Sequence, residues 1–85
     1  MVRPWRQHAE YDPDAEAIYV YLRDAKPART VAIDDFRNVD YAEDGAPVGV
    51  EFLDVGGGID LHDVPFARRV EQLITDLNLG VPVFA

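Results

Sequence analysis

The chain has 85 residues, 16 acidic against 8 basic, a net charge of −8 and no cysteine. A chain this short forms one domain, buries only about 60–65% of its unfolded surface, and without cysteine has neither disulfides nor thiolate–metal sites. Its basic residues are scattered from Arg3 to Arg69, so the basic stripe that neutralises phosphates is missing and no nucleic acid partner is expected.

The opening MVRPWRQHAE carries no apolar signal-peptide core, and no apolar run approaches the ~20 residues of a membrane span. A cytoplasmic protein without a membrane partner is therefore expected. Residues 5–10 predict a short strand, with Trp5, Gln7 and Ala9 on one face and Arg6, His8 and Glu10 on the other. Pro13 ends it, and Asp12 and Asp14 favour a turn by accepting nearby backbone N–H bonds. Residues 17–22 are dense in β-branched and aromatic side chains and predict the central strand. Residues 28–33 predict the next, with Val31 and Ile33 on one face and Ala28, Thr30 and Ala32 on the other. Residues 34–37 are a connection, and residues 38–41 a short strand. Residues 42–47 form a turn with Asp44-Gly45 as its tight step. Residues 48–53 close the set, with Val48, Val50 and Phe52 aligned. Connections this short favour an antiparallel meander.

Gly56-Gly57-Gly58 predict a flexible or sharply turned connection over residues 55–62. They lack GxGxxG spacing and a P-loop lysine, so a phosphate cradle is not expected. An amphipathic helix is predicted over 63–79, with Asp63 as N-cap and Phe66, Ala67, Val70, Leu73, Ile74 and Leu77 on its apolar face. Gly80 suits its end. Residues 80–85 form an extended tail that can tuck against the sheet, add an edge strand or cross to a second copy. The expected fold is α+β: an antiparallel β-meander of four to five strands (residues 5–54) with one C-terminal amphipathic helix packed on one face, all in a single domain of residues 1–85.

The central strand has two apolar faces. Ile18, Val20 and Leu22 form the seat for the helix, extended by Val31, Ile33, Val39, Val48, Val50 and Phe52. Tyr19 and Tyr21 lie on the other face, with Thr30, Glu51 and Leu53. One helix covers one face, so three readings stand for the tyrosines: half-exposed cross-strand partners, a homodimer interface, or a docking face.

No catalytic chemistry stands out. Serine and cysteine nucleophiles are absent from the sequence, and His8 and His62 have no evident partner. Asp60, His62 and Asp63 form a weak metal pattern that helix capping explains better. Asp12/Asp14 and Asp34-Asp35 lack the calcium-loop spacing. No catalytic, cofactor-binding or metal residue is assigned, and the chain is not expected to be an enzyme.

The blocks YDPDAEAIYVYL (11–22), ARTV (28–31), NVDY (38–41), DG (44–45) and VGVEFLD (48–54) occur in the order of a bacterial family. The chain resembles domain of unknown function 2283, whose usual pattern is a YDxxxDxLYI opening, a VxxDxDG turn and a VGIEIL-D close. Glu16 stands where that pattern most often has Asp. The resemblance implies a small sheet domain without accepted catalytic residues. Some similar proteins are encoded beside small toxin-like genes with a RelE-like fold, which implies an antitoxin or toxin-partner role. The expectation is thus a small non-enzymatic binding domain, homodimeric through the second sheet face at Tyr19, Tyr21, Thr30 and Glu51. The alternative is an acidic, antitoxin-like partner of a small basic toxin.

Overall fold

The computed structural model describes residues 4–85. Strands β1 (His8–Asp12), β2 (Ala17–Tyr21), β3 (Arg29–Asp34), β4 (Arg37–Tyr41) and β5 (Pro47–Phe52) form one antiparallel sheet in the order β1-β2-β5-β4-β3. Strands β3, β4 and β5 are a true meander, and the β1–β2 hairpin is added at the free edge of β5. Residues 22–28 therefore carry the chain from β2 across the ends of β5 and β4 to the far edge. Three strand spacings are about 14 Å. Seven extended residues span at most ~23–25 Å, so the short connection suffices. Leu22 and Arg23 donate their N–H groups to the Val48 carbonyl, and Ala28 to that of Tyr41, which pins both ends.

The first strand begins three residues later than expected and runs through Tyr11 to Asp12. Pro13 still ends it. Asp12 Oδ1 accepts the N–H groups of Asp14 (3.0 Å) and Ala15 (3.3 Å), closing the β1–β2 turn. Trp5 lies outside the strand.

On the core face the rungs read Ala9–Val20–Val50–Val39–Val31 and Tyr11–Ile18–Phe52–Arg37. Ile18, Val20, Val50, Phe52 and Val39 are buried there. Helix α1 (Ala67–Thr75) covers the β1–β2 side with Val70, Leu73 and Ile74. It is shorter than the expected 63–79. Asp63 is not its cap, because Asp63 and Phe66 both take left-handed conformations (φ 63 and φ 53) around Pro65. That bend turns the Phe66 ring outward, 64% exposed, away from the core expected for it. Asn78, also left-handed, breaks the helical path before Gly80.

The glycine-rich connection is a sharply turned part of the core. A 3-10 turn (Val55–Gly57) leads into β6 (Ile59–Asp60), and Val55, Ile59, Leu61 and Val64 pack under the sheet beside the helix. The tail pairs within its own chain. Strand β7 (Val83–Phe84) lies parallel to β6, with Ile59 N–H to Pro82 carbonyl at 2.8 Å and Leu61 N–H to Phe84 carbonyl at 2.7 Å. Val31 lies on the expected face but is 46% exposed, since helix α1 sits over the opposite edge of the sheet.

Candidate functional site

The second face of the sheet follows the alternate rungs His8–Tyr21–Gly49–Asp40–Thr30 and Glu10–Tyr19–Glu51–Asn38–Ala32. Helix α1, β6 and the 3-10 turn all send their buried residues into the opposite face. Tyr19, Tyr21, Thr30 and Glu51 are brought together here. Tyr19 is directly opposite Glu51, and Thr30 is opposite Asp40.

Tyr19 does not stand upright from the sheet. Its ring lies over Gly49, where a Cβ would overlap the phenol. It thereby crosses a whole strand and donates to Asp40 Oδ2 at 2.6 Å. Thr30 donates to Asp40 Oδ1 at 2.5 Å from the far side. Burial, then the bond to Asp40, hold the Tyr19 phenol above the ordinary tyrosine range. Asn38 donates to Glu51 at 3.1 Å. Four strands, β2 to β5, are thus tied by side chains on this face.

Aromatic rings continue the row toward the other edge. Tyr19 and Tyr21 centroids are 4.6 Å apart, and His8 stacks on Tyr21 at 4.5 Å with an interplanar angle of 12°. Trp5 meets His8 edge-on at 6.2 Å. His8 Nδ1 donates to the Arg6 carbonyl at 2.9 Å, and Nε2 lies 3.1 Å from Glu10. Both ring nitrogens face acceptors, a demand only the imidazolium meets. The Arg6 bond, then Glu10, raise its pKa above the ordinary value, against a lowering by desolvation.

Val48 belongs to this face and not to the helix side expected for it. The β4–β5 register shifts between Asp40 and Tyr41, which oppose Gly49 and Pro47, so Val48 is an extra residue. Such a bulge re-aims a side chain. Val48 lines a recess of about 300 Å³ with Trp5, Tyr19, Tyr21 and the 23–27 connection.

Asp40, Gly49 and Arg37 carry the geometry, and the sequence reading singled out none of them. Gly49 left a signal, because a glycine inside a strand marks a close approach. Arg37 left none. It is 7% exposed on the core side and joins Asp34 (2.9 Å) to the Asp60 carbonyl (3.0 Å) and the His62 carbonyl. Asp60 is occupied as well, accepting the His62 N–H at 2.8 Å. Among the described residues, no group of three or more His, Asp or Glu is placed to hold a metal ion.

A family model described as "Protein of unknown function (DUF2283)" matches residues 8–55, more than half of the chain. The chain belongs to this family. The DUF2283 match runs from the first residue of β1 to the 3-10 turn, so it contains the whole five-stranded sheet and excludes the helix and tail. Nothing among curated proteins or solved structures matches the chain significantly. Among the described residues no helix is long and apolar enough to cross a membrane.

Proposed function

We propose that this DUF2283 protein is a non-enzymatic interaction domain whose open sheet face binds a basic partner protein. The observation that carries the reading is the ring row Trp5–His8–Tyr21–Tyr19 on a face that no helix or strand of the described chain covers. Aromatic side chains with polar tips supply rigid contact area at protein interfaces. The surrounding charge gives the partner its sign. Glu10, Asp40 and Glu51 lie on this face, and the whole chain is at −8. A positive surface meets it with complementary potential and fast association. Asp40 and Glu51 are already held by hydroxyl and amide donors, which suits a fixed binding surface better than a free general base. A cytoplasmic setting fits the absence of cysteine and the family's toxin-like neighbours.

The exposed rings also favour a second reading, a homodimer through the same residues, Tyr19, Tyr21, Thr30 and Glu51. Self-pairing would set carboxylates against carboxylates, which costs affinity, so the basic partner ranks first. Two measurements separate them. Light scattering at tens of micromolar is expected to give a monomer; a dimer that Tyr19→Glu dissociates would install the homodimer instead. Co-expression with the product of the neighbouring gene is expected to give a stoichiometric complex that Tyr21→Glu abolishes. No complex and no rescue of growth would remove the antitoxin-like reading.

A further inference from the structure

We propose that the recess beside Tyr21 is an arginine-binding site that receives one guanidinium from the basic partner, an inference that rests on the interaction-domain reading above. The recess has room for one large side chain. Its volume is about 300 Å³, at the bottom of the ~300–1,000 Å³ range of small-molecule sites. Its lining includes the aromatic Trp5, Tyr19 and Tyr21, the apolar Val48 and the carboxylate of Asp24. Ring faces carry the negative side of the aromatic quadrupole and attract cations. The Asp24 carboxylate has no ion-pair partner among the described residues. Arg23 also borders the recess, but its guanidinium is neutralised by Asp44 at 2.9 Å.

The molecule already stacks one flat nitrogen ring on this row. His8, with both nitrogens facing acceptors, lies parallel on Tyr21, and Tyr21 also lines the recess. Arginine fits better than lysine. A guanidinium is flat, weakly hydrated and able to fork onto a carboxylate while stacking on a ring, whereas an ammonium is a strongly hydrated point charge. Along the same face, Glu51 and Glu10 follow on β5 and β1, where further basic residues of one segment would fall. These observations favour a chain segment over a free small cation.

Trp5 is the only tryptophan and lines the recess, so its emission reports on the recess. The folded chain is titrated at physiological salt with a hexa-arginine peptide, a hexa-lysine peptide and tetramethylammonium chloride, following Trp5 emission and calorimetry together. The expected result is a saturable emission change with hexa-arginine, at least several-fold tighter than hexa-lysine. Cation–aromatic and ion-pair contributions of this kind predict a loss of about three- to tenfold in Tyr21→Leu and in Asp24→Asn. Glu71→Gln, exposed on the helix side, should change nothing. Calorimetric binding that leaves Trp5 silent and ignores Asp24→Asn would overturn the recess while leaving the acidic face as a binding surface. Equal binding of all three probes would replace the arginine site with a generic cation site. Binding of no basic probe would overturn both the site and the reading on which it rests.

Discussion

Gly49 does for this face what no larger residue can. It lets Tyr19 lie flat and reach a carboxylate two strands away. Gly49→Ala is expected to force the ring off its site and to destabilise by about 1–3 kcal/mol, the usual cost of overpacking. At this size that is a fall in Tm of about 4–8 °C per kcal/mol. In Tyr19→Ala the ring that the added methyl would overlap is gone, so the double variant should be clearly non-additive in a thermal melt. Arg37 is the counterpart on the core side. Arg37→Ala would leave the carboxylate of Asp34 and two backbone carbonyls without their donor. The loss falls on the two carbonyls, since Asp34 is half solvated, and an unsatisfied buried acceptor costs about 1–3 kcal/mol, a large share of the ~5–15 kcal/mol that holds a domain folded. Urea denaturation should show the midpoint collapse. His8 provides a titration. Its pKa is raised in the folded state, so its contribution is fully present below pH 6.5 and is lost as pH rises through the folded value. NMR of the ring protons should place that value above 6.5, and Glu10→Gln should move it down.

At the scale of elements, the turns follow local chemistry closely. Gly45 takes φ 88 in the Asp-Gly step, and Asp44 Oδ1 accepts the Ala46 N–H at 3.0 Å. Glu16 is the exception. It holds φ 50 at the end of the β1–β2 turn, a left-handed conformation that Asn and Asp tolerate better than Glu. Glu16→Asn is expected to stabilise the chain by a few tenths to about 1 kcal/mol, read as a higher denaturation midpoint. The five strands and the burial of Ile18, Val20 and Leu22 were legible because alternation and turn residues agree there. Val48 was not, because a bulge is a property of two paired strands and leaves no mark on one. The helix start was misplaced for a related reason. Asp63 before Pro65 reads as a cap, but the chain bends twice through left-handed residues before the first helical turn. The site was half legible. Tyr19 and Tyr21 showed as a second apolar face, while Asp40, which holds the Tyr19 hydroxyl, resembled any polar residue of a half-exposed strand.

For the whole molecule, charge governs the response to solvent. A chain at −8 repels itself, and salt screens that repulsion. Thermal stability should therefore rise from low to moderate sodium chloride. Acid acts oppositely. The bond from Arg23 depresses Asp44 to about 2, and that from Arg37 depresses Asp34. A depressed carboxylate stabilises above its unfolded value of 3.8 and ceases to do so as pH falls through the folded one. Acid unfolding should accordingly set in below pH 4 and continue toward pH 2, with Arg23→Ala flattening part of the slope. The route of residues 22–28 sets one further property. Strand β2 reaches β5 only because that connection spans the sheet ends, so the β1–β2 hairpin is joined to the β3–β5 meander through a single tether. A four-residue tether would reach only ~13–14 Å, about the three spacings it must cross. Removing three residues from the tether therefore favours exchange of the hairpin between two chains, each β2 completing the other's sheet. Strand order thus makes the length of one loop the switch between a self-contained fold and an intertwined pair.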